Sequence, residues 1–206
     1  MVKADCGGCN GCSRCCHGMG NSIILDPYDV YRMTTGMGKS MQELLAASVE
    51  LNVVDGVILP NLKMQGAEEA CAYLDGGGRC SIHPYRPGIC RLFPLGRYYE
   101  NGGFSYFLQT GECAKENRSK IKVSKWIDTP DLTRNQQFTL QWHDLLHAME
   151  ERLTGEDEGK QREENLLLLR LFYLLPYEGT IDFYTQFTER MEHWNGQTGQ
   201  IGRAHV

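Results

Sequence analysis

The chain has 206 residues, of which 41% are hydrophobic and 23% are charged. This composition suffices for a packed core in one domain, or in one domain with a helical extension, and it argues against a disordered chain. The formal net charge of −5 argues against a protein that coats nucleic acid or an anionic membrane.

Cysteine is the unusual component, because five of the nine cysteines fall within the first 16 residues. The first residues, Met1 to Asp5, lack the apolar stretch of a secretory signal, so we expect a reducing, cytoplasmic location. There, clustered cysteines indicate metal or redox chemistry rather than disulfides. The longest apolar run, 166–175, contains Arg170 and is too short for a membrane span. We therefore expect a soluble protein that binds a metal, and any partner to be another protein.

The N-terminal part begins with an irregular segment and continues with two helices. Residues 1–22 show no periodicity and predict a loop. Asp26 followed by Pro27 is typical of a helix start, with Asp26 as the N-cap. Ser40 and Glu43 have the spacing of a capping box and predict a second helix.

Short strands are expected in the middle of the chain. We predict a strand at 57–59, followed by a small hairpin between 72–74 and 80–82 around a run of glycines. A clearer hairpin is predicted between 98–99 and 104–107, on either side of an Asn-Gly-Gly turn.

Helical patterning dominates after residue 131. Apolar residues from Phe138 to Met149 recur at helical spacing, which predicts an amphipathic helix that ends near Gly155. Two more helices are predicted, at about 160–175 and about 181–194.

Together these elements predict the α+β class with a division near residue 125. Residues 1–125 are expected to form a small irregular cysteine-rich module, stapled by metal, with two short hairpins and two helices. Residues 126–200 are expected to form a mainly helical extension packed on it. The last six residues, 201–206, are expected to be a non-native tail and carry no argument.

The cysteine spacing is the strongest chemical signal. Cys6, Cys9, Cys12 and Cys15 recur at every third residue, and Cys16 follows directly. Two residues between cysteines close a tight loop in which both thiolates can turn towards one metal centre. Buried cysteines can also act as small hydrophobic residues. That interpretation suits a single cysteine better than this whole set.

Two long motifs resemble a known family. Residues 9–16 fit the pattern CxxCxxCC, and residues 80–94 contain the pattern RPxxCRxFP around Cys90. In this order, over residues 9–113, they resemble the CxxCxxCC family, which is described by eight cysteines and a zinc- or iron-chelating domain. That family also includes flagellin lysine-N-methylases.

The resemblance implies a ligand set of eight cysteines, and Cys6 lies outside it. The eight implied metal ligands are Cys9, Cys12, Cys15, Cys16, Cys71, Cys80, Cys90 and Cys113.

Either iron–sulfur clusters or zinc would suit eight thiolates, which fill two four-cysteine sites of either kind. Cys15 and Cys16 are awkward partners on one tetrahedral zinc, because neighbouring side chains diverge. They fit better if each serves a different iron, or if two centres lie close together. We expect one or two [4Fe–4S] clusters, with zinc as the alternative.

Other side chains near the cysteines have two interpretations. Arginines at 79, 86, 91 and 97 could screen the negative charge of a cluster or form surface ion pairs. His17 and His83 could replace a cysteine ligand, although histidines beside a metal loop more often only support it. His143 and His147 imitate a zinc-protease pattern, but the helical wheel places them on the solvated face.

Three functions remain open at the level of sequence. The first is electron transfer, or assistance to a partner enzyme, by a cysteine-held iron–sulfur centre. The second is a structural zinc module, because the glycine-rich cysteine segment needs a staple to fold. The third, implied by the resemblance alone, is methyl transfer from S-adenosylmethionine to protein lysines. The residues themselves identify no catalytic site.

Overall fold

The computed structural model describes residues 1–5, 7, 12–115 and 117–201. Within this part of the chain the fold is α+β, with seven α-helices and four separate two-stranded antiparallel sheets. The helices are α1 Pro27–Met37, α2 Met41–Ala47, α3 Gly88–Leu92, α4 Val123–Ile127, α5 Leu132–Leu153, α6 Glu158–Leu169 and α7 Phe183–Ile201. The strands are β1 Val2–Asp5, β2 Val49–Val54, β3 Val57–Leu62, β4 Met64–Gln65, β5 Ala70–Cys71, β6 Leu95–Glu100, β7 Gly103–Leu108 and β8 Ser119–Ile121. None of the helices in these ranges has the length and apolar character that crossing a membrane requires.

Both N-terminal helices begin where the sequence predicts. The carboxylate of Asp26 accepts a hydrogen bond from the backbone N–H of Asp29, and Asp29 accepts one from the N–H of Asp26. Ser40 and Glu43 form the same reciprocal pair at the start of α2. The capping predictions are confirmed.

The strands agree with the predictions in part. The hairpin of β6 and β7 and the strand at β3 are confirmed, and both are longer than predicted. The smaller predicted hairpin is reduced to one bridge between Leu74 and Cys80. Asp75 explains this, because its side chain accepts hydrogen bonds from the N–H groups of Gly77 and Arg79 and closes a local turn in place of a ladder.

The prediction of a loop over residues 1–22 is wrong at its start. Residues Val2–Asp5 form β1, which pairs with β8 more than 110 residues further along the chain. A short polar strand whose partner lies so far away leaves no local periodicity from which to recognise it.

The predicted helices of the C-terminal part are confirmed, and they share the main core with α1. Helix α5 ends at Leu153, and α6 continues into a π-helical turn at Arg170–Leu174. Leu25 and Val30 belong to the same buried cluster as Phe138, Phe172 and Phe187. The core thus draws on both sides of residue 125, and the division of the chain there stays a prediction.

A second, smaller hydrophobic cluster lies between α3, β6 and α4. Its buried members are Leu92, Leu95 and Ile127, and Trp126 packs against them. The fold therefore rests on two apolar clusters, and the cysteine segments lie beside both.

One face of α1 holds the chain that leads to Cys90. The carboxylate of Asp29 accepts a hydrogen bond of 2.6 Å from the N–H of Gly88, and Arg32 donates one of 2.6 Å to the carbonyl of Pro84. A Cβ atom at Gly36 would overlap the ring of Tyr85, so the helix and the turn approach closely there. Positions spaced by three and four residues share one helix face. This face fixes the path of residues 84–88.

Asp29 is buried, and its surroundings shift its titration. Burial raises the pKa of its carboxyl well above its ordinary value, and the neighbouring Asp26 adds to this effect. The N–H groups of Gly88 and Asp26 and the charge of Arg97 oppose it.

We expect Asp29→Asn to flatten the pH dependence of stability. The folded protein keeps a proton on Asp29 up to a higher pH than the unfolded chain, so the free energy of unfolding falls as the pH rises from about 4, where an ordinary Asp titrates, towards the raised pKa. Asp26, Cys90 and Tyr173, which interact electrostatically with this carboxyl, stay in place in the variant.

Urea unfolding of both proteins between pH 4 and pH 7 measures the effect, with exposed Asp144→Asn as control. An Asp29→Asn slope as steep as that of the wild type would contradict the assignment.

Candidate metal centre

Seven of the nine cysteines lie in the described residues, and all seven are free thiols that are partly buried. They are Cys12, Cys15, Cys16, Cys71, Cys80, Cys90 and Cys113. Cys9, an implied ligand, and the additional Cys6 lie outside the described residues. The composition of the ligand set thus stays a prediction, and the fold decides which of the seven are neighbours.

A backbone bridge brings Cys16 next to Cys71. His17 pairs with Ala70 in antiparallel orientation, and the N–H of Gly18 donates to the carbonyl of Glu69 over 3.0 Å. In antiparallel register the residue before one member of a pair lies opposite the residue after the other member. Cys16 therefore lies opposite Cys71.

The glycine turn returns the chain from Cys71 to Cys80. The N–H of Leu74 donates to the carbonyl of Cys71 over 2.8 Å, and Leu74 bridges to Cys80. Ser81 donates from both its N–H and its hydroxyl to the carbonyl of Tyr73. These bonds hold the two cysteines at the base of one short loop.

Cys90 joins this group from α3, whose first residue, Gly88, is fixed by Asp29. Cys71, Cys80 and Cys90 all pack against the main hydrophobic core. The thiols of Cys71, Cys80 and Cys90 thus have a common apolar support.

The adjacent thiols of Cys15 and Cys16 shift each other's pKa in opposite directions. The hydrogen bond from the Cys16 thiol lowers the pKa of Cys15 to about 6, and the same bond raises the pKa of Cys16. The positive charges of Arg86 and His17 also lower the pKa of Cys15. These neighbours favour the thiolate form of Cys15, which is the form in which a cysteine binds metal.

The pKa values of the Cys71, Cys80 and Cys90 thiols are all raised. Burial raises the pKa of Cys71, Cys80 and Cys90, and the charge of Cys15 raises each of them further. For Cys90 the carboxyl of Asp29 adds to the effect of burial. Five cysteines therefore lie within electrostatic reach of one another.

A small cleft next to this group has a different lining. Cys12, Cys15 and Cys113 line it, together with Phe93, Pro94 and Trp126 on the apolar side and Arg14, Glu112 and Lys115 on the polar side. The indole N–H of Trp126 donates to the carbonyls of Leu92 and Phe93, which fixes the ring at the cleft. Cys113, which is distant in sequence, thereby lies near the N-terminal motif.

The arginines near the cysteines differ in what they contact. Arg91 is buried, and its guanidinium donates hydrogen bonds to the carbonyls of Pro84, Arg86 and Asp128. Its donors are therefore engaged with the backbone rather than with a surface carboxylate or a cysteine sulfur. Arg86 is the cation near the thiols, since its charge lowers the pKa of Cys15 and Cys80. The charge of Arg97 lowers the pKa of the half-buried Asp26 and of the buried Asp29.

The histidines are already engaged. His17 Nδ1 lies 3.0 Å from the carbonyl oxygen of Ser13, and the ring of His83 contacts the guanidinium of Arg86. His143 stacks on Tyr99 with 3.8 Å between the ring centres. On the face of α5 that was predicted to be solvated, the His143 side chain is thus half-buried and the His147 side chain is exposed.

The donor set suits zinc or iron, because cysteine sulfur is the soft ligand that both accept in structural and cluster sites. Within the described ranges, no three His, Cys, Asp or Glu side chains are placed to hold one metal ion. Binding would draw the thiols together and release their protons.

Sequence reasoning missed two residues that arrange the site. Asp29 has the local signature of a capping residue, which gives no sign of its second bond to Gly88. Trp126 lies outside the cysteine motifs, and only the fold brings it to the cleft.

The fold and this group of thiols define an α+β protein of the cysteine-rich, metal-chelating class. Residues 8–123 match the CxxCxxCC family, described as "Putative zinc- or iron-chelating domain", over more than half of the chain. The chain belongs to this family, which confirms the resemblance drawn from the motifs and supports zinc or iron binding. Comparisons with curated proteins and with solved structures gave no match.

We expect Arg91→Lys to destabilise the fold by about 2 kcal/mol, although it keeps the charge. A lysine can satisfy only part of the three carbonyl contacts, and buried acceptors without partners are costly. Urea unfolding measures the loss. The control is Arg152→Lys, at an exposed ion pair with Glu164, where less than about 1 kcal/mol is expected. Equal losses in the two variants would contradict this role.

Proposed function

We propose that this chain is an iron–sulfur protein that holds one or two [4Fe–4S] centres on cysteines and serves electron transfer, alone or for a partner enzyme. The observation that carries the proposal is the adjacent pair Cys15 and Cys16 in one 3-10 turn, near the three thiols that pack against the main core. The proposed ligands are the eight cysteines implied by the family pattern, including Cys9.

The adjacent pair favours iron–sulfur chemistry over one zinc. A tetrahedral zinc needs all its thiolates at about 2.3 Å from one point, which two consecutive residues satisfy poorly. In a cluster, each iron takes a separate cysteine, so consecutive residues can serve different irons. Cys15 and Cys16 meet the second requirement more easily than the first.

The charges around the thiols support the same assignment. Four thiolates on a cluster leave net negative charge, which nearby cations stabilise. Arg86 and His17 already favour the thiolate form of Cys15. When bound, a [4Fe–4S] centre supplies a one-electron couple whose potential such neighbours tune.

The partial exposure of the thiols suits exchange of electrons with another protein. Cys15, Cys16 and Cys113 are partly buried rather than enclosed. A centre held on them would lie close to the surface, within reach of a docked partner. We propose a protein partner on this basis.

Metal and sulfide counts test the proposal. The protein is purified under anaerobic conditions, and iron, acid-labile sulfide and zinc are counted per chain. We expect brown protein with near-equal iron and sulfide, whose visible band is reversibly lost with dithionite. Colourless protein with stoichiometric zinc would overturn the iron–sulfur assignment, and an iron-loaded protein that accepts no electron would overturn the redox role.

A structural zinc module is the second candidate, favoured by one observation. Cys71, Cys80 and Cys90 pack against the main core from a segment with little regular structure. A zinc bound there would tie this segment to the core and contribute folding free energy. In that case removal of zinc by a chelator should abolish part of the circular dichroism, and an unchanged spectrum would exclude this candidate.

A further inference from the structure

We propose that Cys16 and Cys71 form a reversible disulfide when the metal-free protein meets a small oxidised disulfide such as oxidised glutathione, and that this bond is a redox switch at the site. The cross-link itself requires no metal and involves only described residues. Its effect as a switch rests on the proposed function, because the bond removes two thiols from the proposed ligands.

The first argument is the position of the two cysteines across a backbone bridge. His17 pairs with Ala70 in antiparallel orientation, so Cys16 and Cys71 stand opposite each other. Opposite residues of an antiparallel pair have Cα atoms about 4.5 to 5.5 Å apart and side chains on one face. Disulfides span Cα distances of about 4.4 to 6.8 Å. The backbone therefore meets the main geometric requirement for this bond.

The second argument is that both cysteines are held in place and remain accessible. The N–H of Cys16 donates to the carbonyl of Ser13 over 2.8 Å, and Cys71 pairs with Met64 on the side away from Cys16. The two thiols are within electrostatic reach, since the charge of Cys71 acts on Cys16. Both side chains are partly buried rather than enclosed, so a small reagent can reach them.

The third argument is that neighbouring thiols are less suitable partners. Cys15 directly precedes Cys16, and Cα atoms joined by a trans peptide lie about 3.8 Å apart, which is shorter than an unstrained disulfide spans. Cys80 lies opposite Leu74 rather than opposite a cysteine. The bridge at His17 thus sets Cys16 and Cys71 face to face, whereas these alternatives require the backbone to move.

The reaction is thiol–disulfide exchange in two steps. One protein thiolate attacks a sulfur of oxidised glutathione, forms a mixed disulfide and releases one glutathione thiol. The second protein thiolate attacks the protein sulfur of the mixed disulfide and releases the other glutathione. The protein loses two protons and two electrons, and oxidised glutathione gains them. Because every step is reversible, the least strained pair accumulates at equilibrium, whichever thiol reacts first.

The bond has two consequences for the molecule. It closes a loop over residues 16–71, which contains α1, α2, β2 and β3, and a cross-link of this kind restricts the unfolded chain. It also withdraws Cys16 and Cys71 from metal binding, because the metal ligand is the free thiolate. Oxidation and metal loading are therefore competing states of the same two side chains.

Thiol counting and peptide mapping test the pair. The protein is made metal-free with a chelator under anaerobic conditions, equilibrated in a buffer of oxidised and reduced glutathione, and alkylated. We expect it to lose two of its nine thiols. Trypsin yields residues 15–32 and 64–79 as separate peptides, and the cut after Arg79 separates the second from Cys80. Mass spectrometry should find these two peptides joined, and separate after reduction.

The matched neighbours Cys15→Ser and Cys16→Ser assign the sulfur within the first peptide. Cys15→Ser should keep the link to residues 64–79, whereas Cys16→Ser and Cys71→Ser should lose it. The map of the wild type does not depend on the folding of any variant. A bond within residues 15–32, a bond from Cys71 to another cysteine, loss of the link in Cys15→Ser, or no loss of thiols would overturn the assignment.

Cobalt(II) titration without a reductant tests the switch. The cross-linked protein should lose most of the thiolate-to-cobalt absorption of the reduced protein and regain it after treatment with a phosphine reductant. Equal absorption in the two forms would overturn the switch. If metal counts find neither iron nor sulfide, the proposed function fails while the mapped bond stands. If they find both but no such bond forms, this inference alone fails.

Discussion

The hydrogen bond from the N–H of Gly88 to the carboxylate of Asp29 is the contact on which the arrangement of the thiols depends. It joins the start of α1 to the start of α3 across 59 positions of sequence, with 2.6 Å between nitrogen and oxygen. A carboxyl group buried this deeply is costly to ionise, and the N–H donors of Gly88 and Asp26 offset part of that cost. The fold bears that cost at the point where α3 must hold Cys90 beside Cys71 and Cys80.

Around this contact the irregular segment is held mostly by side chains rather than by a sheet. Arg91 and Arg32 both donate to the carbonyl of Pro84, and Asp75 closes the glycine turn. Such bonds satisfy a backbone that lacks ladder partners. They fix the path of the chain, and the N–H groups of Tyr73 and Ile82 also interact with the sulfurs of Cys71 and Cys80.

The sequence was informative where the signal was local. Capping boxes at Asp26 and Ser40 and the apolar stripe from Phe138 to Met149 each lie within one or two turns of helix, so the elements followed from them. The thiol motifs were equally local. Contacts between distant segments could not be predicted in this way. Strand β1 pairs with residues 119–121, and no spacing within residues 2–5 encodes this pairing. The hydrogen bond from Gly88 to Asp29 also joins distant segments, and the capping role of Asp29 gives no sign of it.

Cys15 and Cys16 link the local motif to the tertiary arrangement. The neighbouring Cys16 thiol lowers the pKa of Cys15, and the charge of Arg86 from the second motif acts in the same direction. The two motifs are therefore coupled electrostatically before any metal binds, with cationic and thiolate partners contributed by opposite ends of the family pattern. The consecutive cysteines thus link the first motif to the second through Arg86, and this position gives a physical reason for a CC pair in the motif.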